Sequence, residues 1–250
     1  QQQIPWEMIV GIGLGIVSSL AQLPQQTTLP ASLARWANID IQQILENELG
    51  VPVYLDNDGN MGALGESRYG AGRNEGNMLY VKAGSGISGG LILNNEIYRG
   101  YAGLAGEIGH IPVDFNGHVC QCGRVGCLET VAGKNGILLE VQRFSPSLTT
   151  LSQVIEAARA GDAACAGALA RAGRYLGFVL AGLVNTLNPS VIVLDGSTMQ
   201  AGELVLQSLR TAIEAYSLPS SFAHTRLTLA GCNGLAMPLG CVATILDAIF

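Results

Sequence analysis

Four nitrogen and sulfur donors fall close together in the chain: His110, then Cys120, Cys122 and Cys127, with nine, one and four residues between successive members. Thiolate and imidazole select Zn2+ over hard cations, and four such donors fill a tetrahedral shell with no position left for water. Gly123 and Gly126 let the backbone wrap closely around an ion. The plainer reading is a set of free thiols near a core histidine, and His118 is a competing imidazole. Three cysteines clustered among glycines favour the metal, so a structural zinc ion on His110, Cys120, Cys122 and Cys127 is expected. Cys165, Cys232 and Cys241 lie in apolar helix or strand surroundings and are assigned to the core.

A second polar set is Asp56, Asn57, Asp58, Glu107 and Glu129, each in an apolar neighbourhood. Acids and amides that hold several hydroxyl groups by paired hydrogen bonds are what a sugar pocket requires. A carboxylate beside a sugar hydroxyl can also act as a general base. Each residue has a bland alternative: Asp56 to Asp58 as a turn and helix cap, Glu129 as a surface helix residue. Spacing alone does not bring them together.

The elements that must position these residues follow from periodicity and breakers. Met8 to Val17 reads as a core strand ending at Ser18 and Ser19, and Leu33 to Leu49 as a helix stopped by Gly50 and Pro52. Val51 to Leu55 is a short buried strand with Asp56, Asn57 and Asp58 at its end, where open α/β sheets place ligands, and Asn60 to Tyr69 is the next helix. Three short strands follow at 78–82, 87–93 and 96–99, joined by Ala83-Gly84-Ser85-Gly86 and Asn94-Asn95. Beyond the Cys-rich segment come helical stretches at 138–144, 151–160 and 162–187, a strand at 191–194, a helix at 202–215, a strand at 226–229 and a helix at 236–249. Residues 73–250 thus have the order of one complete ribonuclease-H-like lobe. Residues 1–72 supply only the later strands and helices of another. The final helix is a candidate to pack back on that partial N-terminal lobe, and the zinc-binding segment 110–127 lies in the complete one.

Composition limits the partners. The 250 residues are 48% hydrophobic and only 13% charged, and 33 are glycine, which indicates a turn-rich globular chain. The net charge of -6 and scattered basic residues give no surface for nucleic-acid phosphates, so this chain alone is not expected to grip DNA. The apolar run 177–194 is interrupted by Asn185, Asn188 and Pro189, so no membrane span is expected. Residues 1–7 carry an acid and no basic n-region, which points to the cytoplasm, where six cysteines do not make a disulfide frame.

The segment Gly106-Glu107-Ile108-Gly109-His110 with Cys120-Gln-Cys-Gly-Arg-Val-Gly-Cys-Leu-Glu129 resembles the signature of the ROK family of repressors, open reading frames and kinases. The likeness extends to 56–60, 63–66, 84–92 and 188–193. It implies an α/β, actin-like ATPase fold of two ribonuclease-H-like lobes, here with the N-terminal lobe incomplete. It also implies that Asn57, Asp58, Glu107, His110 and Glu129 bind a hexose or N-acetylhexosamine, His110 giving one ring nitrogen to zinc and the other to the sugar. In a kinase, Asp58 would be the catalytic base, Gly84, Ser85 and Gly86 would cradle phosphate, and ATP and Mg2+ would be required. The family's Asp-x-Gly-Gly-Thr phosphate motif does not occur in these residues. Ile16-Val17-Ser18-Ser19 stands where relatives commonly have a Pro-Gly turn, and Asp195-Gly196-Ser197 where they have Gly-Gly. The wording of 53–60 and 66–72 resembles that of NagC/XylR-type sugar-responsive regulators of actinobacterial type. A sugar-binding effector domain is therefore expected ahead of an active kinase, as a homo-oligomer, with DNA contacted only through an upstream winged helix.

Overall fold

The computed structural model describes residues 5–16 and 39–250. Ser18, Ser19 and residues 33–38 of the expected first helix lie outside the described residues. A small sheet pairs β1 (Ile12–Ile16) with β2 (Val53–Asn57) in parallel, in register from Ile12 against Val53 to Ile16 against Asn57. A larger sheet contains β3 (Asn77–Ala83), β4 (Ile87–Leu93), β5 (Glu96–Ile97), β6 (Val191–Asp195) and β7 (Arg226–Leu229), in the order β5-β4-β3-β6-β7. The first three of these strands are antiparallel, while β6 and β7 run parallel to β3.

The helices are α1 (Ile41–Leu49), α2 (Asp58–Tyr69), α3 (Glu129–Ala132), α4 (Lys134–Val141), α5 (Leu151–Arg159), α6 (Ala163–Leu187), α7 (Glu203–Tyr216), α8 (Pro219–Phe222) and α9 (Ala236–Ile249). Side chains alternate across a strand, so each face of the large sheet builds its own core. On one face Leu79 and Val81 of β3 pack in a cluster with Leu169, Leu176 and Leu180 of α6 and Leu209 of α7. On the other, Met78 and Tyr80 pack with Ala63 of α2, Cys232 and Ala236 of α9. Helix α6 matches a membrane span in length and composition, but 56% of its most apolar window is buried inside the protein. It is the core helix of this layer.

Two boundaries differ from the sequence expectation in a way that matters. Strand β2 extends to Asn57 and helix α2 begins at Asp58, two residues earlier than expected. The reason is local. Asn57 adopts an extended backbone and its side chain accepts from the Gly59 and Asn60 amides, so the N-cap falls on Asn57. The short helix α3 and the 3-10 turn Ser197–Ala201 carry too few residues to show a period, and the sequence reading passed over both.

Helices α2 and α9 pack closely, and α9 also lies across β1. A Cβ on Gly13 would sit 2.6 Å from the Cys241 Cβ, which is why a Gly-x-Gly strand serves here. The tie between α2 and the segment ahead of α9 is a buried carboxylate. Glu66 is fully buried and accepts from the amides of Ala71 at 2.7 Å, Gly231 at 2.9 Å and Cys232 at 2.8 Å. Burial, then the neighbouring Glu66, pushes the Cys232 thiol up to about 12, so it stays a neutral core group. Replacing Glu66 with Gln leaves one of these amides facing an NH2 donor. The expected loss is about 2 kcal/mol, a fall in Tm on the order of 5 °C by thermal denaturation, and an unshifted Tm would remove Glu66 from this role.

Candidate functional site

The polar turn at the end of β2 is held from both sides. Asp56 is buried, and its Oδ1 accepts from the Asn57 amide and the Asn60 side-chain amide, each at 2.7 Å. Its Oδ2 accepts from Arg99 Nε at 2.9 Å and Nη2 at 2.8 Å, a guanidinium that follows β5 in the large sheet. Asp56 is therefore a structural anchor whose four hydrogen bonds leave little capacity for a ligand. Asp58, the first residue of α2, is more open and receives Lys82 Nζ on Oδ2 at 2.9 Å.

Glycines bring this turn against β4. A side chain on Gly90 would strike the Gly59 carbonyl oxygen and would come within 2.6 Å of the Ala63 Cβ. One on Gly106, whose φ is 92°, would strike the Gly89 carbonyl oxygen, and the Gly89 amide donates to the Gly106 oxygen at 2.8 Å. The first turn of α2 thus packs on Gly89 and Gly90, and the 106–110 segment on Gly89 and Ile87. Asp58 precedes Gly59 and Glu107 follows Gly106, so both residues leave the chain next to backbone that packs on Gly89.

The 3-10 turn Ile108–His110 places the imidazole between two environments. Its Nδ1 lies 3.6 Å from Cys120 Sγ, and its Nε2 lies 3.8 Å from a Glu107 carboxylate oxygen. Cys122 and Cys127 bring their sulfurs to 3.6 Å. One donor atom from each of His110, Cys120, Cys122 and Cys127 lies within 4.8 Å of every other, so the cluster can hold a metal ion. His118 is exposed and outside this group. Burial, then the neighbouring Cys122, pushes the Cys127 thiol up to about 12, a tendency that a bound dication reverses.

Glu129 links this cluster to the β3–β4 hairpin. Its Oε2 accepts from the Ile87 amide at 3.0 Å, and its Oε1 accepts from Gln121 Nε2 at 2.8 Å. The Gly84 amide donates to the Gly86 oxygen at 2.9 Å, so the hairpin already uses two amides internally or on an acid. Next to the hairpin, a cavity of about 600 Å³ is lined by Lys82, Asp195, Ser197, Gln200 and Asn233, with Leu194, Met237 and Pro238 among its apolar walls. Asp195 accepts from the Tyr80 hydroxyl at 2.7 Å and from the Gly196 amide at 2.6 Å. Burial, then Asp195, pushes the Tyr80 phenol far above its ordinary range, so it remains a neutral donor.

Of the expected residues, Glu107 and His110 approach each other, Glu129 reaches Ile87 and Gln121, and Asp58 faces Lys82. Asn57 uses its side-chain oxygen as the cap of α2, which combines the cap role with any ligand role. Gly84, Ser85 and Gly86 form the hairpin turn beside the cavity and are absent from its walls. Sequence reasoning missed Lys82, Arg99 and Tyr80. Strand alternation could have paired Tyr80 and Lys82 on one face, but Arg99 carries no local signal for its partner Asp56.

Comparison with known proteins follows the same outline. The family model described as the ROK family matches residues 1–241. A xylose repressor from Caldicellulosiruptor bescii is 32% identical over 252 aligned positions, covering 96% of this chain and 63% of the repressor. A glucokinase from Halalkalibacterium halodurans is 37% identical over 226 positions, covering 84% of this chain and 68% of that protein. The crystal structure of a ROK hexokinase from Thermus thermophilus superposes with a TM-score of 0.80 at 28% identity, covering 96% of this chain and 80% of the hexokinase. The chain spans less than two thirds of the xylose repressors' length.

The Cys/His cluster makes a direct prediction. Elemental analysis of purified protein is expected to give about one thiophilic metal ion per chain, and Cys127→Ser should abolish retention on dialysis. A metal-free protein whose Tm ignores strong chelators would count against the site.

Proposed function

This chain belongs to the ROK family, and on that premise we propose that it is the sugar-binding effector domain of a transcriptional regulator, with a structural zinc ion beside the sugar pocket. In this reading residues 1–72 form a partial first lobe and residues 73–250 the second, with the pocket where the first turn of α2 meets the 106–110 segment. Asn57, Asp58, Glu107, His110 and Glu129 contact the sugar hydroxyls. Copies pair as homo-oligomers, and DNA is held by a winged helix ahead of this chain.

The site residues divide the work by chemistry. The carboxylates of Asp58, Glu107 and Glu129 accept from hydroxyls, and His110 Nε2 donates. Bound zinc on Nδ1, Cys120, Cys122 and Cys127 supplies a fixed ring orientation and a single tautomer. The donor set fits zinc because all four donors are soft or borderline. Sugar contacts are thereby preorganised by a cluster that itself does no chemistry. A ligand touching Asp58 and Glu107 bridges α2 and the large sheet, the arrangement by which occupancy is passed on as a change in their relative position.

The observation that carries the regulator reading is the state of Asp195. It presents an acid to the cavity beside the hairpin and takes the Gly196 amide on its own carboxylate. The Ile87 amide of the neighbouring hairpin is likewise engaged by a carboxylate, that of Glu129. An acid at this wall, with its nearest amide already engaged, disfavours a bare triphosphate there. The second reading, an ATP-dependent sugar kinase with Asp58 as general base and Gly84, Ser85 and Gly86 at the phosphates, is favoured by the 37% identity to a glucokinase.

Calorimetry with xylose, glucose and N-acetylglucosamine, run beside a coupled assay for ATP-dependent phosphorylation, separates the two. The expected outcome is binding of at least one sugar without turnover, weakened at least tenfold by Asp58→Asn. Sugar-dependent ATP consumption would overturn the regulator reading in favour of the kinase.

A further inference from the structure

Lys82 occupies a position that nothing in the sugar-pocket reading requires. It lies near the end of β3, beside Asp195 in the parallel register with β6, and lines the cavity. Its ammonium does not pair with that register neighbour. It crosses instead to α2 and donates to Asp58 Oδ2 at 2.9 Å, with 38% of the Lys82 side chain and 23% of the Asp58 side chain exposed. Asp195 is held separately by Tyr80 and Gly196. Among the described residues that line the cavity, Lys82 is the cation and Asp195 the anion.

The charge inventory shows what this contact does. Asp56 is neutralised by Arg99, and Glu129 is engaged by an amide and Gln121. Without Lys82, the proposed pocket would present the Asp58 carboxylate without its ammonium partner, together with Glu107, whose carboxylate has His110 Nε2 at 3.8 Å. Such a site attracts a cation as strongly as it accepts from a hydroxyl. An ammonium already on Asp58 repels a second one by direct Coulomb interaction, and a neutral hydroxyl feels no such penalty.

We propose that Lys82 is a specificity-determining residue that acts through Asp58: it makes the site selective for uncharged sugars and excludes amino sugars that carry a free ammonium. This rests on the placement of Asp58 in the sugar pocket. Lys82 also holds one carboxylate oxygen in place, which leaves a defined acceptor for the ligand and lowers the cost of ordering that side chain on binding.

The test is calorimetry with glucose, xylose, N-acetylglucosamine and glucosamine on the wild-type chain, Lys82→Met, Lys82→Arg, Asp58→Asn and the Lys82→Met/Asp58→Asn double variant. The wild type is expected to bind a neutral sugar and to reject glucosamine. Lys82→Met should weaken the neutral sugar and shift the glucosamine-to-neutral preference by about fivefold or more toward the amine. Lys82→Arg, which keeps the charge, should retain the exclusion. In the Asp58→Asn background Lys82→Met should have a smaller effect on preference, because without the Asp58 carboxylate the half-exposed ammonium is no longer held at the pocket. An unchanged preference in Lys82→Met, or an equal shift with and without Asp58, overturns the role of Lys82 while leaving the sugar pocket intact. A wild-type chain that binds none of the four sugars overturns the pocket itself and this inference with it.

Discussion

The approach of the first turn of α2 to β4 is the constraint on which the rest depends. Gly59, Gly89, Gly90 and Gly106 meet backbone to backbone, with no room for a Cβ at Gly90 or Gly106. Helix α2 follows directly from β2, so this contact ties the small sheet to the large one. It also draws the 106–110 segment onto β4, and with it the imidazole that reaches the cysteines. A methyl group inserted between these backbones would force α2 and the 106–110 segment off β4.

Around that contact, charges are distributed by function. The buried acids are saturated: Asp56 by Arg99 and two amide groups, Glu66 by three backbone amides. Buried carboxylates need such partners, since desolvation is costly when hydrogen bonds are missing. The acids proposed for ligand contact, Asp58, Glu107 and Glu129, are more open, and the Glu107 partner is distant, His110 Nε2 at 3.8 Å. Buried, fully paired acids therefore build the frame, and the more open ones lie outside it.

Much of this was legible in the sequence. The meander at 77–97 and the later strands at 191–195 and 226–229 follow from alternation and hairpin residues, and they appear in the expected order. Asp162 as the cap of α6 and the grouping of His110 with Cys120, Cys122 and Cys127 also follow from local pattern. The sequence pattern starts α2 at Asn60, two residues late, because which residue of the 56–58 turn caps the helix is set by backbone geometry: Asn57 is extended and accepts from the Gly59 and Asn60 amides. The short helices and 3-10 turns were missed because three to five residues carry no period.

The sequence by itself determined the chemistry available: soft donors spaced to wrap an ion, acids and amides grouped at a strand end, glycines where backbones must meet. Those are properties of residue type and short-range spacing, which local sterics and donor chemistry dictate. Tertiary structure alone decided the pairings across the fold. Lys82 chooses Asp58 over its strand neighbour Asp195, Arg99 takes Asp56, and Glu129 caps the Ile87 amide. These partners are separated by tens of residues, and the free energy of a charge pair or hydrogen bond depends on distances and burial that only the packed sheets and helices establish.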